Sequence, residues 1–123
     1  MKTKNIYKGK TGERLAIKYL KEQGYNIIAK NYKTTLGEID IIVSNTDTLI
    51  FVEVKAREDN QFLLTPAEAI TPFKRKKINQ VAAQYLARHQ LRHVPVRFDV
   101  IEVFLQEGKI EHIENAFDSY IKF

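Results

Sequence analysis

Gly37-Glu38-Ile39-Asp40-Ile41-Ile42-Val43 and Leu49-Ile50-Phe51-Val52-Glu53-Val54-Lys55, separated by Ser44-Asn45-Thr46-Asp47-Thr48, decide the fold of this 123-residue chain. Both segments are dominated by β-branched and aromatic residues and the spacer carries turn residues, so the pattern predicts a β-hairpin. Side chains alternate faces along a strand, which groups Glu38 with Asp40, and Phe51 with Glu53 and Lys55. A hairpin symmetric about the Thr46–Asp47 bond sets Asp40 opposite Glu53 and Glu38 opposite Lys55. Facing Cβ atoms lie roughly 4.5–5.5 Å apart, where like charges repel. The carboxylate pair therefore calls for counter-charge, part of it from Lys55 and the rest from a hard divalent cation such as Mg²⁺. The competing expectation is an amphipathic hairpin whose polar face meets water and carries a Glu38–Lys55 salt bridge.

Upstream, residues 1–8 read as a flexible basic leader, and Thr11 is placed to cap a helix reaching about Gln23, with Gly24 at its C′ position. Glu13, Ala16, Ile17 and Leu20 fall at helical spacing, so Glu13 sits at the N-terminal end of the core-facing side. Attraction to the positive end of the helix dipole is the plainer account of an acid there. Residues 25–33 predict a first strand, and Asn31, Lys33, Thr34, Thr35 and Gly37 bend the chain into the hairpin.

Downstream, residues 56–64 read as an exposed loop. Thr65-Pro66-Ala67-Glu68 matches a capping box, and Thr71-Pro72 starts a longer helix to about Arg88, with Ile78, Val81, Ala82, Tyr85 and Leu86 as its buried stripe. Lys74-Arg75-Lys76-Lys77 wraps the start of that helix against the usual dipole preference; phosphate contact and a solvated surface are both open readings. Residues 94–105 predict a strand, Gln106 to Lys109 a turn, residues 110–114 a short return strand, and residues 116–123 a helical turn or irregular tail. The order α-β-β-β-α-β-β implies one α/β domain over residues 1–123, a mixed β-sheet flanked by helices.

Composition bounds the function. A hydrophobic fraction of 44% and a charged fraction of 28% are those of a globular domain. With no cysteine the chain has neither disulfides nor zinc-thiolate sites. No apolar run approaches the length of a membrane helix and none follows the basic N-terminus, so the expected location is the cytoplasm. Net charge is +5, unevenly spread: residues 1–33 carry nine Lys or Arg against two Glu, and residues 99–123 two Lys against six acids. A basic half beside an acidic pocket suits a polyanion such as nucleic acid, although surface lysines also serve solubility alone. His89 and His93 have helical spacing but no third ligand, and read as surface histidines before zinc ligands. The aromatic residues fall mostly at core spacing, and no phosphate-cradling glycine motif or nucleophilic triad is present.

Charges inside near-continuous apolar strands are costly unless paired or metal-bound, so Asp40, Glu53 and Lys55 are the candidate chemistry. An Asp followed on the next strand by Glu-x-Lys resembles the motif of restriction-endonuclease-like nucleases. Gly12-Glu13, Asn31, Gly37-Glu38-Ile39-Asp40, Phe51-Val52-Glu53-Val54-Lys55-x-Arg57, the Lys74 helix and Arg97-Phe98-Asp99-Val100 together resemble the small bacterial YraN family over nearly the whole chain. That family is itself similar to archaeal Holliday-junction resolvases. The resemblance implies a restriction-endonuclease-like core in which Asp40, Glu53 and Glu13 bind Mg²⁺ or Mn²⁺ and Lys55 assists at the scissile phosphate. It implies a metal-dependent endonuclease on branched or structured DNA, in repair or recombination, with no small-molecule cofactor. Lys33, Arg57, Lys74, Arg75 and Lys77 are the expected nucleic-acid contacts, and a homodimer is expected because paired cuts need two sites. Gln61-Phe62-Leu63-Leu64 lacks the glycine associated with this part of the family. The alternative from another class is a non-catalytic nucleic-acid-binding or recombination accessory protein on the same fold; a basic structural adaptor would leave the acids dispensable.

Overall fold

The computed structural model describes residues 2–58 and 70–121, so the predicted loop beyond Glu58 and the capping box at residues 65–68 lie outside the described residues. The order is α1 (Lys2–Glu22), β1 (Asn26–Thr34), β2 (Gly37–Asn45), β3 (Thr48–Arg57), α2 (Pro72–Arg88), β4 (Val96–Phe104) and β5 (Lys109–Phe117). The five strands form one sheet in sequence order, antiparallel throughout except for the parallel pair β3–β4, which α2 connects. This mixed sheet with a helix on each face is a restriction-endonuclease-like core. Among the described residues no helix is long and apolar enough to cross a membrane.

The two faces bury separate layers. Ala16 and Leu20 of α1 pack on Ile41, Val43, Ile50, Val52, Ile101 and Val103. Ile78, Val81, Ala82, Tyr85 and Leu86 of α2 pack on Ile39, Ile42, Phe51, Phe98 and Val100. Burying β3 and β4 on both sides explains their near-continuous apolar sequences. Phe51 is the hub of the α2 layer, stacked on Phe98 at 5.5 Å and edge-on to Tyr85 at 5.9 Å.

Three boundaries differ from the sequence reading. α1 begins at Lys2, so Thr11 lies inside the helix and caps nothing; no proline interrupts residues 2–10 to stop helix propagation. β3 continues through Ala56 and Arg57, because both pair with β4, Ala56 with Val103 and Arg57 with Phe104. β5 runs to Phe117 instead of ending at Glu114. The polar Glu114-Asn115 that signals a strand end is an irregularity in register, with Asn115 at φ 53°, and the strand resumes so that Phe117 stacks on Phe98 at 5.0 Å. By contrast, α2 starts as predicted, with the Thr71 hydroxyl accepting the Lys74 N–H at 3.1 Å and Pro72 at the first helical position.

That irregular β5 segment serves a buried ion. Asp99, 1% exposed, accepts from Arg97 Nε at 3.0 Å, from the Asn115 N–H at 3.0 Å, and is 2.7 Å from His112 Nε2. His112 Nδ1 in turn meets the Tyr19 hydroxyl at 3.0 Å, which ties α1 to β4 and β5. Burial alone would raise the Asp99 pKa, but the hydrogen bonds from His112, Arg97 and the Asn115 backbone hold it below the usual range. Arg97 and Asp99 of the Arg97-Phe98-Asp99-Val100 motif thus have a structural use, as Phe98 does in the core.

α1 meets β3 most closely at Gly12, where an added Cβ would lie 2.7 Å from Ala56 Cβ. Replacing a helical glycine by alanine ordinarily gains up to about 1 kcal/mol. Here the clash must push helix and sheet apart, and overpacking of this kind costs roughly 1–3 kcal/mol. Gly12→Ala is therefore expected to lower the urea midpoint, whereas Gly9→Ala, which meets nothing within 4 Å, leaves it unchanged or higher. Equal midpoints for the two variants would refute the close approach.

Candidate active site

The hairpin register is the one expected, from Asn45↔Thr48 to Ile41↔Val52. At that point the pairing stops: β2 stays with β1 as far as Gly37, and β3 stays with β4 as far as Arg57. Asp40 and Glu53 are the first residues in the resulting fork. The Asp40 side chain closes it, Oδ2 accepting the Val54 N–H at 2.8 Å in place of a backbone carbonyl. Across from Asp40, between the pairs Lys30↔Ile41 and Tyr32↔Ile39, Asn31 adopts φ 51° in the left-handed region. Strand alternation breaks here, since Ile39 packs in the α2 layer and Ile41, two residues on, in the α1 layer. The break lets side chains from both helices reach the fork, Glu13 of α1 toward Asp40 and Lys74 of α2 toward Glu53.

From α1 comes Glu13. Its carboxylate and those of Glu38 and Asp40 lie within 4.8 Å of one another. The Glu13 pKa is raised, first by burial and then by the Asp40 charge, against a lowering contribution from Asn31. With its amide nitrogen turned toward the acid, Asn31 donates to both Glu13 oxygens at 3.0 and 3.3 Å. The inward placement inferred from helical spacing therefore holds, and the strained Asn31 backbone orients the acid.

From α2 comes Lys74, whose Nζ is 3.0 Å from Glu53 Oε1. Glu53 is 7% exposed, and its pKa is pushed up to about 8, first by burial and then by Asp40, with which it shares a hydrogen bond. Lys74 counters this only in part. Burial lowers its own pKa, but the charge and hydrogen bond of Glu53 together with Asp40 and Lys55 raise it, for a net rise. Lys55, half-buried and within hydrogen-bonding reach of Lys74, has a lowered pKa, from burial first and the Lys74 charge second. Leu36, Gly37, Glu38, Asp40, Glu53, Lys74, Lys77 and Ile78 line the resulting cleft of about 430 Å³. A larger cleft of about 660 Å³ at the other end of α2 includes His93, but no carboxylate lines it.

Asp40, Glu53, Lys55 and Glu13 are thus brought together from three elements. Glu38, read from sequence only as a salt-bridge partner of Lys55, joins Glu13 and Asp40 instead, and its cross-strand neighbour on β1 is Lys33. The basic residues divide. Lys33 is exposed and Lys77 lines the cleft, whereas Lys74 is turned into it. Arg57 is ion-paired with the buried Glu102. Arg75 donates through Nε to the Ile70 carbonyl at 2.9 Å and lies over the Phe117 ring. Arg57 and Arg75 therefore have structural partners of their own. Among the described residues neither His89 nor His93 joins a group of metal-binding side chains.

Because Glu53 keeps its proton in the folded state to about pH 8 and releases it near the ordinary value of 4.5 when unfolded, ionising it opposes folding. This contribution to stability is full below about pH 4.5 and is lost as the pH rises toward 8. Glu53→Gln mimics the protonated form. It is expected to match the wild type near pH 5 and to melt higher above pH 8, each 1 kcal/mol of difference showing as roughly 4 °C. Parallel melting-temperature curves from pH 5 to 9 would contradict the raised pKa.

Comparison with known proteins converges on one family. The model of the uncharacterised protein family UPF0102 matches residues 12–103. A UPF0102 protein of Clostridioides difficile (strain 630) is 49% identical over 113 residues, spanning 92% of this chain and 98% of the relative. Those of Alkaliphilus oremlandii and Syntrophus aciditrophicus are 50% and 43% identical, spanning 89% and 94% of this chain and 96% and 92% of their own lengths. The likeness to YraN read from the motifs and this match agree, and the chain belongs to the UPF0102 (YraN) family.

Proposed function

We propose that this protein is a metal-dependent endonuclease hydrolysing phosphodiester bonds in branched or structured DNA. The observation that carries the reading is the crowding of Glu13, Glu38, Asp40 and Glu53 around one forked strand end, with a cation reaching Glu53 from α2. Burial and then the Asp40 charge raise the pKa of both Glu13 and Glu53, which leaves the site short of positive charge. A proton on Glu53 supplies some; a hard divalent ion fits the same all-oxygen donor set. Asp40, Glu13 and Glu38 would hold Mg²⁺ or Mn²⁺, with Glu53 as a further ligand once Lys74 moves aside. Bound there, the ion would neutralise charge at the scissile phosphate and acidify a coordinated water.

The remaining roles belong to the chain. Asp40 is locked by the Val54 N–H, so one carboxylate oxygen is fixed without rotamer freedom. Lys55, with its lowered pKa, is suited to orient a water nucleophile or take up its proton. Lys77, at the cleft mouth, and the exposed Lys33 are placed for the phosphates on either side. A binding module for a polyanion gains nothing from four acids at the point of closest approach, which favours turnover over an accessory role.

The test is cleavage of labelled junction, flap, single-stranded and linear DNA with Mn²⁺, Mg²⁺ or chelator. Metal-dependent cutting is expected, reduced at least about 100-fold in Asp40→Asn and Lys55→Ala. Binding without cutting of any substrate would instead support the accessory protein, and cutting that survives Asp40→Asn would place the site elsewhere.

A further inference from the structure

Phe73, 70% exposed, is the most exposed large hydrophobic side chain among the described residues, and it neighbours Lys77 of a cleft whose lining also includes Leu36, itself 37% exposed. Leu36 is in the β1–β2 turn and lines the cleft directly. Phe73 is the second residue of α2, and the next residue, Lys74, reaches to the floor of the same cleft. Lys77, also lining it, stands between them. Its Nζ lies 5.4 Å from the centre of the Phe73 ring, and its Cβ is 4.0 Å from where a side chain on Gly37 would begin. The rim therefore runs apolar, cationic, aromatic, beside a basic helical turn that contains no acid.

Helix formation does not ask for Phe at this position, and the ring leaves most of its surface in solvent, with Lys77 of the next turn beside it. Aromatic rings set among lysines along a groove are how proteins hold single-stranded nucleic acid, because every base has a face to stack and every nucleotide a phosphate to pair. In a continuous duplex the base faces are covered by their neighbours. A ring held on a rim can stack only where a base is unpaired, at a flap, a gap or an open branch point.

We infer that Leu36, Lys77 and Phe73 form a platform for unpaired nucleobases, with Phe73 as the stacking ring, so that DNA is selected for single-stranded nucleotides next to the cleft. This rests on the proposal that the cleft works on nucleic acid, but it is a statement about binding and is tested without cleavage. Fluorescence anisotropy in chelator at low salt would compare a paired duplex with the same duplex bearing a single-stranded flap, and 2-aminopurine placed in the flap would report stacking.

The wild type is expected to prefer the flap and to quench 2-aminopurine. Phe73→Ala should weaken flap binding roughly tenfold, change duplex binding by at most about twofold and abolish the quench, while Phe73→Trp restores all three. Because Phe73 is exposed, Phe73→Ala should keep the wild-type circular dichroism spectrum and melting temperature. Equal loss on both substrates, or none, would overturn the platform while leaving a nucleic-acid-binding cleft. Unchanged DNA binding accompanied by loss of a dimer in light scattering would assign the rim to contact between copies and also overturn it. A wild type that binds neither substrate would remove the nucleic-acid reading, and this inference with it.

Discussion

The hydrogen bond from the Val54 N–H to Asp40 Oδ2 is the contact on which the arrangement of this site depends. Two antiparallel strands that part company leave backbone donors and acceptors to be satisfied, and a buried N–H without a partner costs about as much as a lost hydrogen bond. A side-chain carboxylate at the point of separation meets that need and is itself pinned. The fork can then open without solvent entering the sheet: β2 remains held by β1, β3 by β4, and both helices keep their own apolar layers. Structure and candidate chemistry use the same carboxylate, one oxygen for each.

Charge around the fork is arranged in the opposite sense from the rest of the molecule. The chain is basic, with much of the excess in its first thirty-three residues, yet four carboxyl groups converge where a phosphate would arrive. Such convergence is unfavourable until cations are added, and the molecule supplies one ammonium from α2 and a second from β3 that already feel each other. Burial and the Lys74 charge lower the Lys55 pKa, while burial and Asp40 raise that of Glu53 against the opposing pull of Lys74. Perturbations of this kind in a cleft mark a candidate functional site, in contrast to Asp99, where every oxygen has a donor and the pKa falls. The two buried acids show that burial alone does not decide the outcome; the supply of donors does.

Much of this was legible in the residues because strand pairing has few degrees of freedom. Turn residues between two apolar runs leave little choice of register, so the pairing from Asn45↔Thr48 to Ile41↔Val52 followed from position alone, whereas the parting of the strands just before Asp40 and Glu53 did not. Thr71-Pro72 and the Ile78 to Leu86 stripe likewise gave α2 its start and its face. What could not be read depends on non-local geometry. Asn31 looked like bend material, and its left-handed backbone, which breaks the alternation and gathers Glu38 with Glu13, has no one-dimensional signal beyond an asparagine inside a strand. Four consecutive basic residues could not reveal that Lys74 turns inward, Arg75 toward Phe117 and Lys77 over Phe73, since helical phase relative to the sheet is a tertiary matter. The true end of β5 was hidden for the same reason, Asn115 having been placed by the needs of Asp99.

The electrostatics also constrain the order of events in the proposed reaction. A phosphodiester approaching the cleft before its acids are compensated would meet repulsion from Glu38, Asp40 and Glu13, and only Lys74 and Lys55 could answer it. Lys74 is committed to Glu53 in this state. If a divalent ion displaced the Glu53 proton and took that carboxylate, Lys74 would be released as the cleft became able to accept a phosphate, and it stands one residue from the exposed Phe73 ring and one helical turn from Lys77. One displacement would then convert an internal contact into a row of substrate contacts along the first turns of α2. Coupling of this sort separates two contacts: unpaired nucleotides can settle on the exposed rim at Phe73 and Lys77 without the ion, whereas a phosphate reaches the floor of the cleft once the ion is present.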